Sequence, residues 1–372
     1  MALKVLIAPD KFKGTLPAPA VAEAIARGWS SVKPEDAVEL LPMSDGGEGF
    51  GEMLGRLLGA EGQTVQTVDA AHRPIIAQWC WERGTRTAII ESATTIGLAL
   101  LPAGKFHPFG LDTFGLGAVL QAAANAGANR CLLGIGGSAT NDGGFGLARA
   151  LGWRFFNRHG EEIQRWTELA ALTRLAAPET PAGFGELVVA VDVQNPLLGP
   201  SGCTRIFGPQ KGLRAEDFEL AEQCLARLAT VAEEQFGFKC AKEPGAGAAG
   251  GLGFGLRGFA GAKLESGFEV FSRHADLARR VKAAQLVLTS EGRVDEQTFM
   301  GKGVGALARM CRDFNVPCIA FAGEISRSMH SSGLFRRAYA LSPDLTSREY
   351  ALAEPAIWLE KAAEAAAKEF GA

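Results

Sequence analysis

The sequence predicts an α/β protein with largely parallel sheets. Three observations carry that expectation. Short apolar runs that end in polar or glycine residues recur along the chain. Stretches with helical apolar spacing lie between them, the alternation that builds parallel sheets. More than half of the 47 glycines gather at residues 45–51, 134–146, 199–212, 245–261 and 292–305 instead of spreading evenly, as they do where backbone must turn tightly or approach a ligand.

The apolar runs at residues 4–8, 37–41, 87–90, 130–135, 187–191, 286–289 and 317–322 do not alternate with polar residues. That pattern suits strands buried on both faces. Each run leads into a polar or glycine segment. The first is followed by Pro9-Asp10, the second by Pro42-Met43-Ser44-Asp45, the third by Glu91-Ser92 and the fourth by Gly136-Gly137-Ser138. The others are followed by Asp192, by Ser290-Glu291-Gly292 and by Gly323. Helices are expected over residues 19–29, 116–126 (stopped by Gly127), 145–151, 218–232 and 355–370. Ligands of open parallel sheets bind beyond the carboxyl ends of the strands, so this placement points to a ligand-binding enzyme. The middle of the chain holds most of the glycine. The expected organisation is a discontinuous outer domain, residues 1–66 plus 285–372, with a glycine-rich α/β domain, residues 67–284, inserted in it. The active site is expected in the cleft between them.

The 372 residues suffice for two domains, and 47% hydrophobic with 21% charged residues is ordinary globular usage. A net charge of −3 without a basic run argues against nucleic acid as a partner. The seven cysteines include no CxxC pair, which argues against a zinc site and a disulfide framework and for reduced thiols. The opening MALKVLIAPD turns polar too soon for a signal peptide, and no apolar stretch approaches the ~18 residues of a membrane span. A cytoplasmic protein with no membrane partner is the expectation. The oligomeric state stays open, with a homodimer among the options.

Gly134-Ile-Gly-Gly-Ser-Ala-Thr-Asn-Asp-Gly-Gly-Phe-Gly146 follows an expected strand and opens an expected helix. Successive backbone N–H groups in such a turn form an anion site, and Ser138, Thr140 and Asn141 add side-chain donors. Close packing is the competing reading. Gly134, Gly136 and Ala139 also fit the dinucleotide fingerprint, but the next expected strand, 153–156, ends in Asn157-Arg158 without the required acid. No P-loop, no protein-kinase signature set and no G-x-S-x-G occurs. A kinase built on this chain must therefore cradle phosphate in another way.

Acids at strand ends are the second signal: Asp45 and Glu48, Asp192, Glu291 and Asp295. Phosphoryl transfer uses one carboxylate to hold Mg²⁺ and another to take the hydroxyl proton. Asp192 follows too apolar a run to be a surface residue. The basic candidates are Lys11, Lys13, Lys211, Arg293 and Lys302, of which Lys13, Lys211 and Lys302 have glycine neighbours.

Together these segments resemble the bacterial glycerate kinase family that includes the glycerate 2-kinases. The matching stretches are Ile7-Ala-Pro-Asp-Lys-Phe-Lys-Gly-Thr-Leu16, Pro42-Met-Ser-Asp-Gly-Gly-Glu-Gly49, the segment from Gly134 to Gly144, Asp192-Val-Gln-Asn-Pro-Leu197, Ile206-Phe-Gly-Pro-Gln-Lys-Gly212, Pro244-Gly-Ala-Gly-Ala-Ala-Gly-Gly251 and Glu291-Gly-Arg-Val-Asp295. They run in order from residue 5 to about residue 325. The sequence departs from the family pattern at Lys11 (usually serine), Ser290 (usually glycine), Leu116 (usually threonine) and Glu324 (usually serine), and in a shortened segment at residues 301–305.

The resemblance implies two α/β domains, a flavodoxin-like parallel-sheet domain with a second, mixed α/β domain inserted in it. It implies phosphoryl transfer from ATP with Mg²⁺ to D-glycerate, giving 2-phosphoglycerate. A related hydroxy acid or sugar acid is the alternative acceptor, and a non-catalytic ligand-binding protein of the same fold is the more distant reading. On this view the phosphates lie on Gly136, Gly137, Ser138, Thr140 and Asn141, helped by Gly247, Lys211 and Lys302. Asp192 is the expected proton acceptor, with Asp45 and Asp295 as further catalytic acids. Asp45, Asp192 and Glu291 are the metal candidates, and Lys13 or Arg293 binds the substrate carboxylate.

Overall fold

The computed structural model describes residues 2–180, 183–299, 303–326 and 333–370, the side chains of Gln297 and Phe299 excepted. The chain forms two compact units, Met1–Asp45 with Phe268–Ala372, and Gly46–Gly267. The strands, numbered along the chain, are β1 (Lys4–Ile7), β2 (Ala37–Leu40), β3 (Glu61–Val68), β4 (Pro74–Glu82), β5 (Thr87–Glu91), β6 (Arg130–Gly134), β7 (Arg154–Asn157), β8 (Leu172–Ala176), β9 (Glu186–Val191), β10 (Lys263–Ser266), β11 (Leu286–Val294), β12 (Cys318–Ile325) and β13 (Arg337–Ala340).

The first unit holds a parallel sheet in the order β13-β12-β11-β1-β2. From β1 the sheet grows to β2 on one side and through β11, β12 and β13 on the other. This is the flavodoxin-like order, and its direction reverses between β1 and β11. The apolar runs of β1 and β11 are buried as expected, but β2 is a mostly exposed edge strand. The helices Ala18–Val32 and Pro355–Glu369 cross closely, because a Cβ at Gly28 would stand 2.0 Å from the Glu360 carbonyl oxygen. Val5, Ile7, Ile25, Trp29, Leu288, Phe321 and Leu359 form the core of this unit.

The second unit holds a six-stranded mixed sheet, β10-β9-β6-β5-β4-β3, and a separate β7–β8 hairpin. Strands β3, β4 and β5 are joined antiparallel, whereas β5, β6, β9 and β10 run parallel. The strand β4 is amphipathic: Trp79 and Trp81 face the core while Ile76 on the same strand is exposed.

The boundaries expected at 66/67 and 284/285 lie instead at 45/46 and 267/268. The first would cut β3, which pairs with β4 along its whole length from Glu61 to Val68. At the other end, β10 completes the mixed sheet beside β9. The helices Gly267–His274 and Leu277–Ala283 then lead into β11, where Gln285 N–H donates to the Lys4 carbonyl at 2.8 Å. Among the described residues, no helix is long and apolar enough to cross a membrane.

Candidate active site

In the second unit the parallel strands β5, β6, β9 and β10 end side by side. Asp192 follows β9, a central strand between β6 and β10, and is half-buried. Three glycine segments gather at this edge. Gly136 N–H donates to the Gly46 carbonyl at 3.2 Å, Gly247 N–H to the Asn195 carbonyl at 2.9 Å, and Gly143 N–H to the Gly250 carbonyl at 3.0 Å. The backbones meet so closely that a Cβ at Gly136 would stand 2.6 Å from Gly47 Cα, and one at Gly250 only 1.9 Å from the Thr140 carbonyl oxygen. Glu91, the last residue of β5, fixes the first segment by accepting the N–H groups of Gly49 and Gly51, each at 3.1 Å.

These contacts revise two assignments. The N–H groups of Gly136 and Gly247 are engaged inside the fold, so both glycines serve close packing. The exposed tip of the 135–144 loop is Gly137, at φ +77°, while Ser138, Thr140 and Asn141 are buried behind it. Asn141 Nδ2 donates to Thr204 Oγ1 at 3.1 Å. The hydroxyl of Thr140 and Oδ1 of Asn141 are buried with no hydrogen-bond partner among the described residues.

Two buried charged groups hold this loop, Asp142 from within it and Lys211 from a neighbouring helix. Asp142 accepts from Thr113 N–H and Oγ1, and from the N–H groups of Gly144 and Gly146 at the start of the helix Phe145–Ala150. Burial, with a smaller push from Asp112, raises its carboxyl to about 6 against those donors. Lys211 closes the helix Cys203–Lys211. Its Nζ donates to Ser138 Oγ at 3.0 Å and to the Thr140 carbonyl at 2.7 Å. Burial lowers this ammonium from 10.5 to about 8. The lysine expected to touch phosphate is thus buried and holds the loop.

In the first unit the chain beyond β1 stays extended. Ala8 and Asp10 N–H donate to the Leu288 and Ser290 carbonyls, and Leu41 and Met43 N–H donate to the Ile7 and Pro9 carbonyls, each at 2.8 Å. Asp10 therefore stands at the β1–β11 reversal, where ligands of this sheet order bind. Burial, then the neighbouring Asp45 carboxylate, raise Asp10 to about 7, opposed by Lys11. Lys11 Nζ lies 3.6 Å from Asp45 Oδ1, so the departure from the family serine supplies a cation to this acid pair.

The segment 291–295, expected at the strand's end beyond residues 286–289, is largely strand itself: β11 runs on to Val294, paired with Ile325 of β12. Thr298 links two of its acids, donating its hydroxyl to Glu291 Oε1 at 2.7 Å and accepting Asp295 N–H at 3.1 Å. Arg293 Nε lies 3.7 Å from Asp295 Oδ2, largely exposed. Gly292 passes beside the backbone of Phe12 and Lys13, whose side chain is exposed. Two of the other departures have local explanations: Glu324 pairs with Arg348 at 3.0 Å, and Leu116 is a core residue. Lys302 and Gly301 lie outside the described residues.

Asp10, Thr298 and Glu91 complete this inventory although the sequence did not single them out as site residues. The Pro9-Asp10 step at a strand end was a visible signal for the first. The other two act through contacts that spacing does not reveal. Among the described residues no group of three or more acid, His or Cys side chains is placed to hold a metal. The hard carboxylate oxygens of Asp10 and Asp45 fit Mg²⁺, which binds through one or two carboxylates with waters and substrate phosphates completing its shell.

Comparison with known proteins shows the family. The chain matches the glycerate kinase family over residues 5–371. It is 38% identical to a glycerate kinase of Bacillus subtilis, covering 97% of this chain and 96% of the relative. It is 36% identical to the glycerate 2-kinase of Escherichia coli, covering 87% and 86%. The crystal structure of a protein described as glycerate kinase 2 of Salmonella typhimurium superposes with a TM-score of 0.81 at 32% identity, over 100% of this chain and 98% of that one. The chain belongs to the glycerate kinase family and is an ATP-dependent small-molecule kinase.

Proposed function

We propose that the protein transfers the γ-phosphoryl group of ATP to the 2-hydroxyl of D-glycerate, giving 2-phosphoglycerate and ADP. The observation that supports this reading is that the loops 46–51, 135–144 and 245–251 meet at the carboxyl edge of β5, β6, β9 and β10, the edge at which Asp192 follows β9. The exposed turn at Gly137 faces the phosphates, because a backbone turn at a strand end is an anion cradle. Asp192 accepts the hydroxyl proton as the glycerate oxygen bonds to the γ-phosphorus and the bridging oxygen leaves with ADP. Asp10 and Asp45 would hold Mg²⁺, with Glu291 on the neighbouring β11 and Asp295 just past its end. Bound there, the metal would neutralise phosphate charge. Lys13 and Arg293, both exposed, bind the substrate carboxylate.

Incubation with MgATP and D-glycerate, followed by phosphorus NMR, tests the proposal. A 2-phosphoglycerate resonance is the expected result. A 3-phosphoglycerate resonance corrects the position phosphorylated. One observation favours a second acceptor: Lys11, paired with Asp45, adds a cation where the family usually has serine. A panel of related hydroxy acids and sugar acids identifies it if glycerate yields no phosphorylated product.

A further inference from the structure

Lys211 is a buried cation with no ion-pair partner among the described residues; the one acid that attracts it, Asp142, is bonded elsewhere. It is 6% exposed. Two of its three N–H donors go to neutral oxygens, Ser138 Oγ and the Thr140 carbonyl. Among the described residues no carboxylate forms an ion pair with it. The titratable groups that face it are Asp142, from the loop after β6, and Cys203, from its own helix. Asp142 is already held by four donors. Cys203 is a thiol that burial pushes up to about 12, under the further influence of Glu222, so it stays neutral. A buried charge ordinarily has a partner. The loop that Lys211 holds is the one whose exposed tip is Gly137, and the buried unpartnered oxygens of Thr140 and Asn141 lie three and four residues further along it.

We infer that Lys211 is a positioning residue for ATP: it clamps the 138–140 loop through Ser138 and Thr140, and the nucleotide phosphates on that loop add the counter-charge that Asp142, not ion-paired with it, supplies only in part. The inference rests on the reading that this loop holds those phosphates. It differs from direct contact, because Nζ reaches the ligand through Ser138 and Thr140. An ammonium in this position makes nucleotide affinity depend on its protonation, whereas a purely structural tie does not. The affinity is full while Lys211 is charged and falls as the pH rises through about 8.

The test compares Lys211→Met, Lys211→Arg and Gly137→Asp with the wild-type chain. Equilibrium dialysis measures ATP binding, and steady-state kinetics give kcat and both KM values, from about pH 6.5 to about pH 9.5, a window chosen to span the lysine's titration. Lys211→Met is expected to weaken ATP binding by about 10- to 100-fold, the loss typical of hydrogen bonds to a charged group. Its KM for the acceptor should stay within about twofold, and kcat should change less than the KM for ATP. Wild-type affinity should fall at alkaline pH, and that fall should be absent from Lys211→Met and reduced in Lys211→Arg.

Gly137→Asp separates the inference from the reading beneath it. Aspartate tolerates the left-handed backbone there, and its charge should repel phosphate. Loss of ATP binding in Gly137→Asp but not in Lys211→Met overturns the role of Lys211 and keeps the cradle. Unchanged binding in both overturns the cradle itself. If Lys211→Met fails to fold, the wild-type and Lys211→Arg pH profiles decide, and a flat wild-type profile overturns the inference.

Discussion

Asp142 accepts both the backbone N–H and the hydroxyl of Thr113, at 2.9 and 2.7 Å, although 29 residues separate them. The same carboxylate accepts Gly144 and Gly146 N–H, and the Thr113 hydroxyl in turn accepts Leu147 N–H at 2.9 Å. This buried knot fixes where the 135–144 loop turns into the helix Phe145–Ala150. Asp142→Asn replaces an acceptor oxygen with an amide that itself donates, and turns it toward donors. A buried polar group left unsatisfied costs about 1–3 kcal/mol. Urea unfolding should show a loss of that order, and an unchanged midpoint would mean that the knot does not stabilise the fold.

Asp142 also makes stability depend on pH. Its carboxyl rises from 3.8 to about 6 on folding, chiefly through burial. The folded state therefore holds this proton more tightly than the unfolded chain between those values. By linkage, its contribution is most favourable below about pH 4 and declines until about pH 6. Melting temperatures of wild-type and Asp142→Asn protein across that window should converge as pH rises, so far as this group is concerned. A constant difference between them would sink the assignment.

Much of this was legible in the sequence. The runs at 4–8, 87–90, 130–135 and 187–191 are strands within one residue at each end, because apolar runs without alternation leave few other ways to bury both faces. The acids and glycines at their ends were visible for the same reason. The antiparallel pair β3–β4 was not, since its alternating pattern is weak and its Ile76 faces outward. The domain boundary moved with it. Lys211 looked like a phosphate contact because Gly212 follows it. In the fold that glycine ends the helix at φ +105°, and the lysine turns inward. Glu91 was visible only as a strand-end acid, and its role as the acceptor of Gly49 and Gly51 depends on contacts across 40 residues or more.

Gly250 offers a test of the loop contacts that leaves charge untouched. Its φ is +70°, and a Cβ there would stand 1.9 Å from the Thr140 carbonyl, the atom that Lys211 holds. Gly250→Ala must push the two segments apart. The variant should lose about 1–3 kcal/mol, the usual cost of overpacking, and should also bind ATP more weakly. Retained stability and retained ATP affinity together would show that the 245–251 segment does not brace the loop.

Asp192 is the residue on which the proposed chemistry turns. It stands at the carboxyl end of a strand flanked on both sides by parallel neighbours, the position from which such sheets present catalytic groups. A proton acceptor matters only as the hydroxyl attacks, so its loss should appear in kcat more than in either KM. Asp192→Asn keeps the shape and removes the charge. Turnover should fall by about 10²–10⁴, the range typical of a general base, while ATP affinity and melting temperature stay near those of the wild type. Steady-state kinetics with equilibrium dialysis separate the alternatives. A weakened ATP affinity with kcat preserved would move Asp192 from proton transfer to the nucleotide's binding, and near wild-type turnover would remove it from the reaction.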